Sequence, residues 1–195
     1  MIKNWTTPIP GHGGRDPGTR YGKILEKNLN LENSKQLKIV LQEQGATVYM
    51  TRNKDEDFSS KWDTNKKHGD LYRRILFIQK MKSELYLSIH LNWYNDYYFR
   101  GEEVLYNKIN PKNKILAESL MNNFKKELYT TRDVITTDLY LYKNTRVPGV
   151  LIECGFLSNR YDRGNLLNKD YQKKFSLIIS KSLEEYFSKI KQLAN

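Results

Sequence analysis

Val150-Leu151-Ile152-Glu153-Cys154-Gly155-Phe156 is an apolar run with one carboxylate inside it, preceded by Gly149. It is short, and glycines mark its ends, so it reads as a buried strand. Leu85-Tyr86-Leu87-Ser88-Ile89-His90 reads the same way, and Ala46 to Thr51 and Glu103 to Tyr106 have strand composition. Between these runs lie longer amphipathic stretches. Leu25 to Gln44 carries Leu29, Leu37, Val40 and Leu41 on one side, and Gly45 closes it. Asp70 is the expected N-cap of a helix carrying Leu71, Ile75, Ile78 and Met81. Asn110-Pro111 opens another, and a last helix runs from about Tyr171 to Leu193. This alternation predicts an α/β fold: a mostly parallel or mixed twisted sheet flanked by helices, as one domain over residues 1–195. The weak element is the first strand. Residues 2 to 9 offer only Ile2, Trp5 and Ile9 as clear apolar members, interrupted by threonines and Pro8.

The charge of +11 asks for an anionic partner, either nucleic acid or an anionic wall polymer, unless the lysines form a solvated face. They are scattered, without the arginine-aromatic interleaving of a single-strand binder, so no nucleic acid is expected. One cysteine, Cys154, excludes an internal disulfide and a cysteine-based zinc finger. It neighbours Glu153 and should point to the opposite face of the strand as a buried filler. No apolar run has the length of a membrane helix, and Met1 to Pro8 lacks the apolar segment of a secretory signal, so a soluble chain is expected.

Metal chemistry is suggested by residues far apart in the chain. His12 sits in Gly11-His12-Gly13-Gly14, Glu26 starts an amphipathic stretch, and His90 ends an apolar run. Two histidines and a carboxylate suit zinc and leave a position open for water. Glu153 could then take a proton from that water and pass it to a leaving amine. Each residue also has a plain reading. A histidine at a strand end is usually structural, and Glu26 would pass for a carboxylate favoured at a helix start. Glu153 is harder to dismiss, because burying it unpaired is costly. His68, among lysines, reads as a surface residue. Residues 53 to 69 read as a surface loop. Residues 91 to 100 hold five aromatics among polar residues and read as a substrate-facing loop, with Asn92, Trp93, Tyr94, Tyr97 and Tyr98 toward the groove.

Taken in order, several segments resemble the zinc-dependent N-acetylmuramoyl-L-alanine amidases of the Amidase_3 type. They are Pro10-Gly11-His12-Gly13-Gly14-Arg15-Asp16-Pro17-Gly18, Leu25-Glu26-Lys27, Met50-Thr51-Arg52, Leu71 with Arg74, Ser88-Ile89-His90-Leu91-Asn92, Gly101-Glu102-Glu103 and Glu153-Cys154-Gly155-Phe156-Leu157-Ser158-Asn159. Each motif is weak alone, and the ordered set is specific. The resemblance implies hydrolysis of the amide between the lactyl group of N-acetylmuramic acid and L-alanine in peptidoglycan. It implies Zn2+ on His12, Glu26 and His90, with Glu153 catalytic. It also implies action outside the cytoplasm, on cell wall or spore cortex, with an activating protein as a conceivable partner. Leu141-Tyr142-Lys143-Asn144 and Tyr171-Gln172-Lys173-Lys174 look closest to the spore-cortex branch, whose members prepare muramic acid for conversion to muramic-δ-lactam. One departure stands out: Ile9 occupies the place where the family usually has aspartate. Isoleucine cannot orient a histidine, so Ile9 and the poor first strand predict a weakened metal site, and in the extreme a wall-binding pseudoenzyme. A different metallohydrolase, such as a carboxypeptidase, is a further alternative, because fold does not fix substrate.

Overall fold

Along β5 (Leu85–Asn92) side chains alternate between the faces of a sheet. Leu85, Leu87, Ile89 and Leu91 enter a large core, and Tyr86 enters a smaller one on the other side. Strand β8 (Gly149–Phe156) does likewise: Val150, Ile152 and Cys154 face the large core and Leu151 the small one. Cys154 is therefore a buried filler, as its position beside Glu153 predicts. Helices α1 (Glu26–Glu43), α3 (Pro111–Leu128) and α6 (Lys169–Leu193) cover the large core. Helix α2 (Lys66–Lys80) and the single turn α4 (Tyr140–Lys143) cover only part of the other face. These elements belong to a computed structural model that describes residues 5–193.

The sheet has six strands in the order β4-β1-β5-β8-β6-β7, adding β1 (Trp5–Pro10), β4 (Thr47–Val48), β6 (Glu103–Tyr106) and β7 (Val134–Thr136). The first four strands of that order are parallel, and β6 runs antiparallel to β8. The expected mixed sheet flanked by helices is the fold. A hairpin of β2 (Arg20–Tyr21) and β3 (Ile24–Leu25) and a short helix α5 (Arg160–Leu167) complete it; neither is evident from the sequence pattern.

The poor-looking first strand forms and lies inside the sheet, between β4 and β5. Its composition fits that place. Gly11 donates to Ile89 O on the β5 side, while Thr6 O and Pro8 O accept from Tyr49 and Thr51 on the other side. By alternation Pro8 and Pro10 present their missing N–H groups toward β4, whose pairing stops at Val48. Thr6 and Thr7 are fully buried, and Thr7 shares a hydrogen bond with Ser83 at 2.5 Å. Ile2 lies outside the described residues.

Helix α2 corrects one expected boundary. Asn65, not Asp70, is its N-cap, with Asn65 Oδ1 accepting from His68 N at 3.0 Å. Asp70 sits one turn in, where it accepts from Arg74 Nε at 2.6 Å and from Phe58 N at 2.8 Å. A carboxylate that looks like a cap is instead the partly buried partner of the buried Arg74. His68 is exposed, as expected.

Candidate metal centre

Register places the reactive side chains. Ile9, Ser88 and Leu151 form one row across β1, β5 and β8. Two residues further along, His90, Glu153 and Glu103 form the next row across β5, β8 and β6. Both rows face the side that α1, α3 and α6 leave open. His12 follows β1 in a turn and has a left-handed backbone, φ 59°, a conformation held only where the surroundings demand it. Two buried arginines supply that demand. Arg52 donates to Gly11 O at 2.9 Å, and Arg74 donates to Pro10 O at 2.7 Å and His12 O at 2.8 Å. Gly11 has no room for a side chain, because the His90 imidazole lies against it.

The three expected ligands meet. His12, Glu26 and His90 bring one donor atom each within 4.8 Å of one another. His12 Nε2 and His90 Nδ1 both lie 3.1 Å from Glu26 Oε1. The backbone fixes Glu26 as well: Thr19 N donates to Oε2 at 2.8 Å and Leu91 N to Oε1 at 3.1 Å. Burial opposes the Glu26 charge, but hydrogen bonds from the two histidines and their charge outweigh it and hold the carboxyl well below its usual range. Burial lowers the His90 pKa and favours the neutral imidazole that a metal requires. For His12, burial is outweighed by Glu26 and Asp16, and its pKa is raised.

Asp16 Oδ2 lies 2.7 Å from His12 Nδ1, so Nδ1 carries the hydrogen. Without a metal, a raised His12 pKa lets Nε2 carry a hydrogen to Glu26 as well. In the neutral ring the Nε2 lone pair faces the carboxylate instead, and a cation can take the place of that proton, for which the donor set fits zinc. Asp16 supplies the carboxylate contact to His12 that Ile9 cannot. Ile9 is 2% exposed among Ile75, Ile78, Tyr86, Leu141 and Leu151, while a carboxylate four residues after His12 orients the ring. Asp16 lies in the quoted glycine-rich motif, but no pattern in the sequence distinguishes it from a turn aspartate.

Glu153 lines the same cavity, of about 450 Å³, with His12, Glu26, His90, Thr19, Asn92 and Trp93. Its Oε2 is sealed from solvent and has no hydrogen-bond partner among the described residues. Burial, then the charges of Glu26 and Glu103, push its pKa up to about 8. Asn92 also lines the cavity, but Nδ2 donates to Glu103 Oε2 at 2.8 Å and Oδ1 accepts from Trp93 N at 2.7 Å. One N–H and one lone pair of its amide remain. Tyr94, Tyr97 and Tyr98 are exposed and stand outside the cavity wall; Tyr94 packs on Phe99 at 4.3 Å.

Two imidazoles and a carboxylate converge at parallel strand ends, beside a partnerless acid, in an arrangement that could hold a metal ion. The chain belongs to the Amidase_3 family of N-acetylmuramoyl-L-alanine amidases, enzymes that hydrolyse an amide bond, and the family pattern matches residues 9–185. It is 36% identical over 199 residues to the germination-specific N-acetylmuramoyl-L-alanine amidase of Bacillus subtilis, covering 95% of this chain and 84% of that protein. It is 29% identical over 181 residues to the N-acetylmuramoyl-L-alanine amidase LytC of Bacillus subtilis, covering 91% of this chain and 34% of that longer protein. Among solved structures, the CwlD amidase of Clostridioides difficile, in complex with the GerS lipoprotein, superposes with TM-score 0.89 at 29% identity, covering 95% of this chain and 98% of that one. No helix among the described residues is long and apolar enough to cross a membrane.

Proposed function

We propose that this chain cleaves the amide between the lactyl group of N-acetylmuramic acid and L-alanine in peptidoglycan, with zinc held by His12, Glu26 and His90. The observation that carries the reading is the approach of His12 Nε2 and His90 Nδ1 to one oxygen of Glu26, each at 3.1 Å. Zinc bound there supplies a water acidic enough to ionise near neutrality and polarises the scissile carbonyl. Glu153 takes the proton from the attacking water and delivers it to the alanine nitrogen as the C–N bond breaks. The exchange falls to the other carboxylate oxygen, because Oε2 is sealed from solvent, and a cation held beside Glu26 would offset the negative charge that helps keep Glu153 protonated. Asp16 keeps His12 in the tautomer that offers Nε2. Asn92 holds the cavity wall through Glu103 and offers its remaining N–H to substrate.

The workplace is extracytoplasmic, in the cell wall or spore cortex, consistent with the germination-specific relative. A protein partner that binds and activates the domain is part of the proposal, because the CwlD amidase was solved with a lipoprotein bound. The charge of +11 suits a substrate rich in carboxylates and wall phosphates.

The test is zinc content and muropeptide digestion of the wild type, His12→Ala and Glu153→Gln. The expected result is about one zinc per chain with intact stem peptides released by the wild type. His12→Ala should lose zinc, and Glu153→Gln should keep zinc without cleaving. Zinc-loaded wild type that binds peptidoglycan and releases nothing would refute the enzyme reading and leave a wall-binding protein. Shortened stems would point to a carboxypeptidase.

A further inference from the structure

A second recess meets the first at the metal centre. It has a volume of about 530 Å³ and shares His12, Asp16 and His90 with the cavity that holds Glu153. A substrate with its scissile amide at the shared residues therefore has one arm in each. The two chambers differ in chemistry. The Glu153 side is lined by Thr19, Asn92 and Trp93 and suits sugar hydroxyls. The larger recess has an apolar floor of Ile9, Leu71, Leu141 and Leu151, with Arg15, Lys66 and Lys67 at its rim.

The rim is positive in effect as well as in composition. Two of the three acids on the recess wall are neutralised, Asp57 by Arg15 and Asp70 by Arg74, while Asp16 is held by the His12 ring and keeps a charge that Lys67 stabilises, so the cations outnumber the acids by one. Lys66 Nζ donates to the carbonyls of Ser60 at 2.8 Å and Lys61 at 2.9 Å, which leave its charge uncompensated. Lys67 is exposed, and among the described residues it pairs with no carboxylate within salt-bridge distance. A glycan strand continues in both directions from each muramic acid, and a recess floored by buried residues between the sheet and α2 cannot thread it. A stem peptide is a branch with a free end and fits such a recess. Its aliphatic parts match the floor and its carboxylates match the rim.

We propose that this recess receives the stem peptide and selects a free carboxylate near its attached end, gripped by Lys66 and Lys67. The inference rests on the reading of the substrate as peptidoglycan. Ile9 then has a direct consequence: in place of an acid it gives the recess an apolar floor, without a negative charge to repel the stem.

The experiment compares muropeptides identical except at the second stem residue, D-isoglutamate against D-isoglutamine. The zinc-loaded full chain is assayed as wild type, as the double variant Lys66→Gln/Lys67→Gln, and as the charge control Lys112→Gln on α3. The wild type should favour the acid stem by about 10-fold in kcat/KM, carried by KM, as a charge-assisted hydrogen bond in a partly desolvated site would. The double variant should bring the acid-to-amide ratio toward one, and Lys112→Gln should keep it. Equal rates on both stems in the wild type, or a ratio kept by the double variant, would overturn the proposal. Binding of the free acid and amide stem peptides is measured in parallel. If no muropeptide is cleaved but the acid peptide binds more tightly and the double variant abolishes the difference, the amidase reading fails and the recess assignment stands. Equal binding of both peptides by the wild type refutes the assignment whatever the turnover.

Discussion

One hydrogen bond decides which nitrogen of His12 faces Glu26. Asp16 holds the Nδ1 hydrogen at 2.7 Å and leaves Nε2 for a metal. Removing that partner in Asp16→Ala should weaken zinc binding about 10- to 100-fold, read by competition with a chromophoric chelator, while the fold persists. Unchanged affinity would show that the backbone alone orients the ring. The converse substitution tests the role of Ile9. Its side chain is 2% exposed in an apolar cluster, so Ile9→Asp places a carboxylate there without a partner. We expect a loss of about 2 kcal/mol or more in urea unfolding and no gain in zinc affinity. A gain in affinity would mean that position 9 can orient His12 after all.

At the level of elements, the ligand loop is held by residues from two distant segments. Arg52 follows β4, Arg74 lies in α2, and between them they bind the carbonyls of Pro10, Gly11 and His12. Arg74→Met would leave Asp70 without its guanidinium partner and His12 O without a donor, while Pro10 O would keep only Arg52. It should cost about 3 kcal/mol in stability and also weaken zinc binding, since His12 would lose its support. A stability loss with unchanged zinc affinity would assign Arg74 to the fold alone. This coupling marks where reading from sequence stops. The strands at Leu85 and Val150 and the helices after Leu25 and Asn110 are legible because apolar period and caps are local. The proposed ligands are legible as residue types in ordered motifs. The start of α2 was misplaced because Asp70 has a cap-like sequence context, and only the fold shows that Arg74 and Phe58 N claim its carboxylate. The first strand looked poor because its prolines violate a rule for central strands, which β4 relaxes by ending at Val48. Asp16, Arg52 and Glu103 act through partners that folding brings to them, so nothing local announces their roles.

At the scale of the whole molecule, the acids Glu102 and Asp57 contribute to the pH response of stability in opposite senses. Glu102 is 5% exposed, on the strand approach to β6, and Tyr171 Oη donates to its Oε1 at 2.6 Å. Burial pushes its pKa up to about 7, against an ordinary 4.5. Between those values the folded chain keeps a proton that the unfolded chain has released. Stability from this group is therefore complete below pH 4.5 and declines as pH rises toward about 7. Asp57 works in the opposite sense. Burial opposes its charge, but hydrogen bonds from Ser59 and Arg15 prevail and hold it at about 2, so its contribution is lost only as pH falls below the ordinary carboxylate range. In Glu102→Gln the amide oxygen still accepts from Tyr171, but no charge forms there. Chelator-treated wild type and variant should thus be close in stability near pH 4.5. The variant should gain steadily toward pH 7.5, by on the order of 2–3 kcal/mol, as the wild type becomes obliged to bury an ionised carboxylate. Thermal or urea unfolding across that range reads the difference directly. Parallel curves for the two proteins would mean that Glu102 ionises without cost, through local opening around Tyr171, and that the pH response of the fold arises elsewhere.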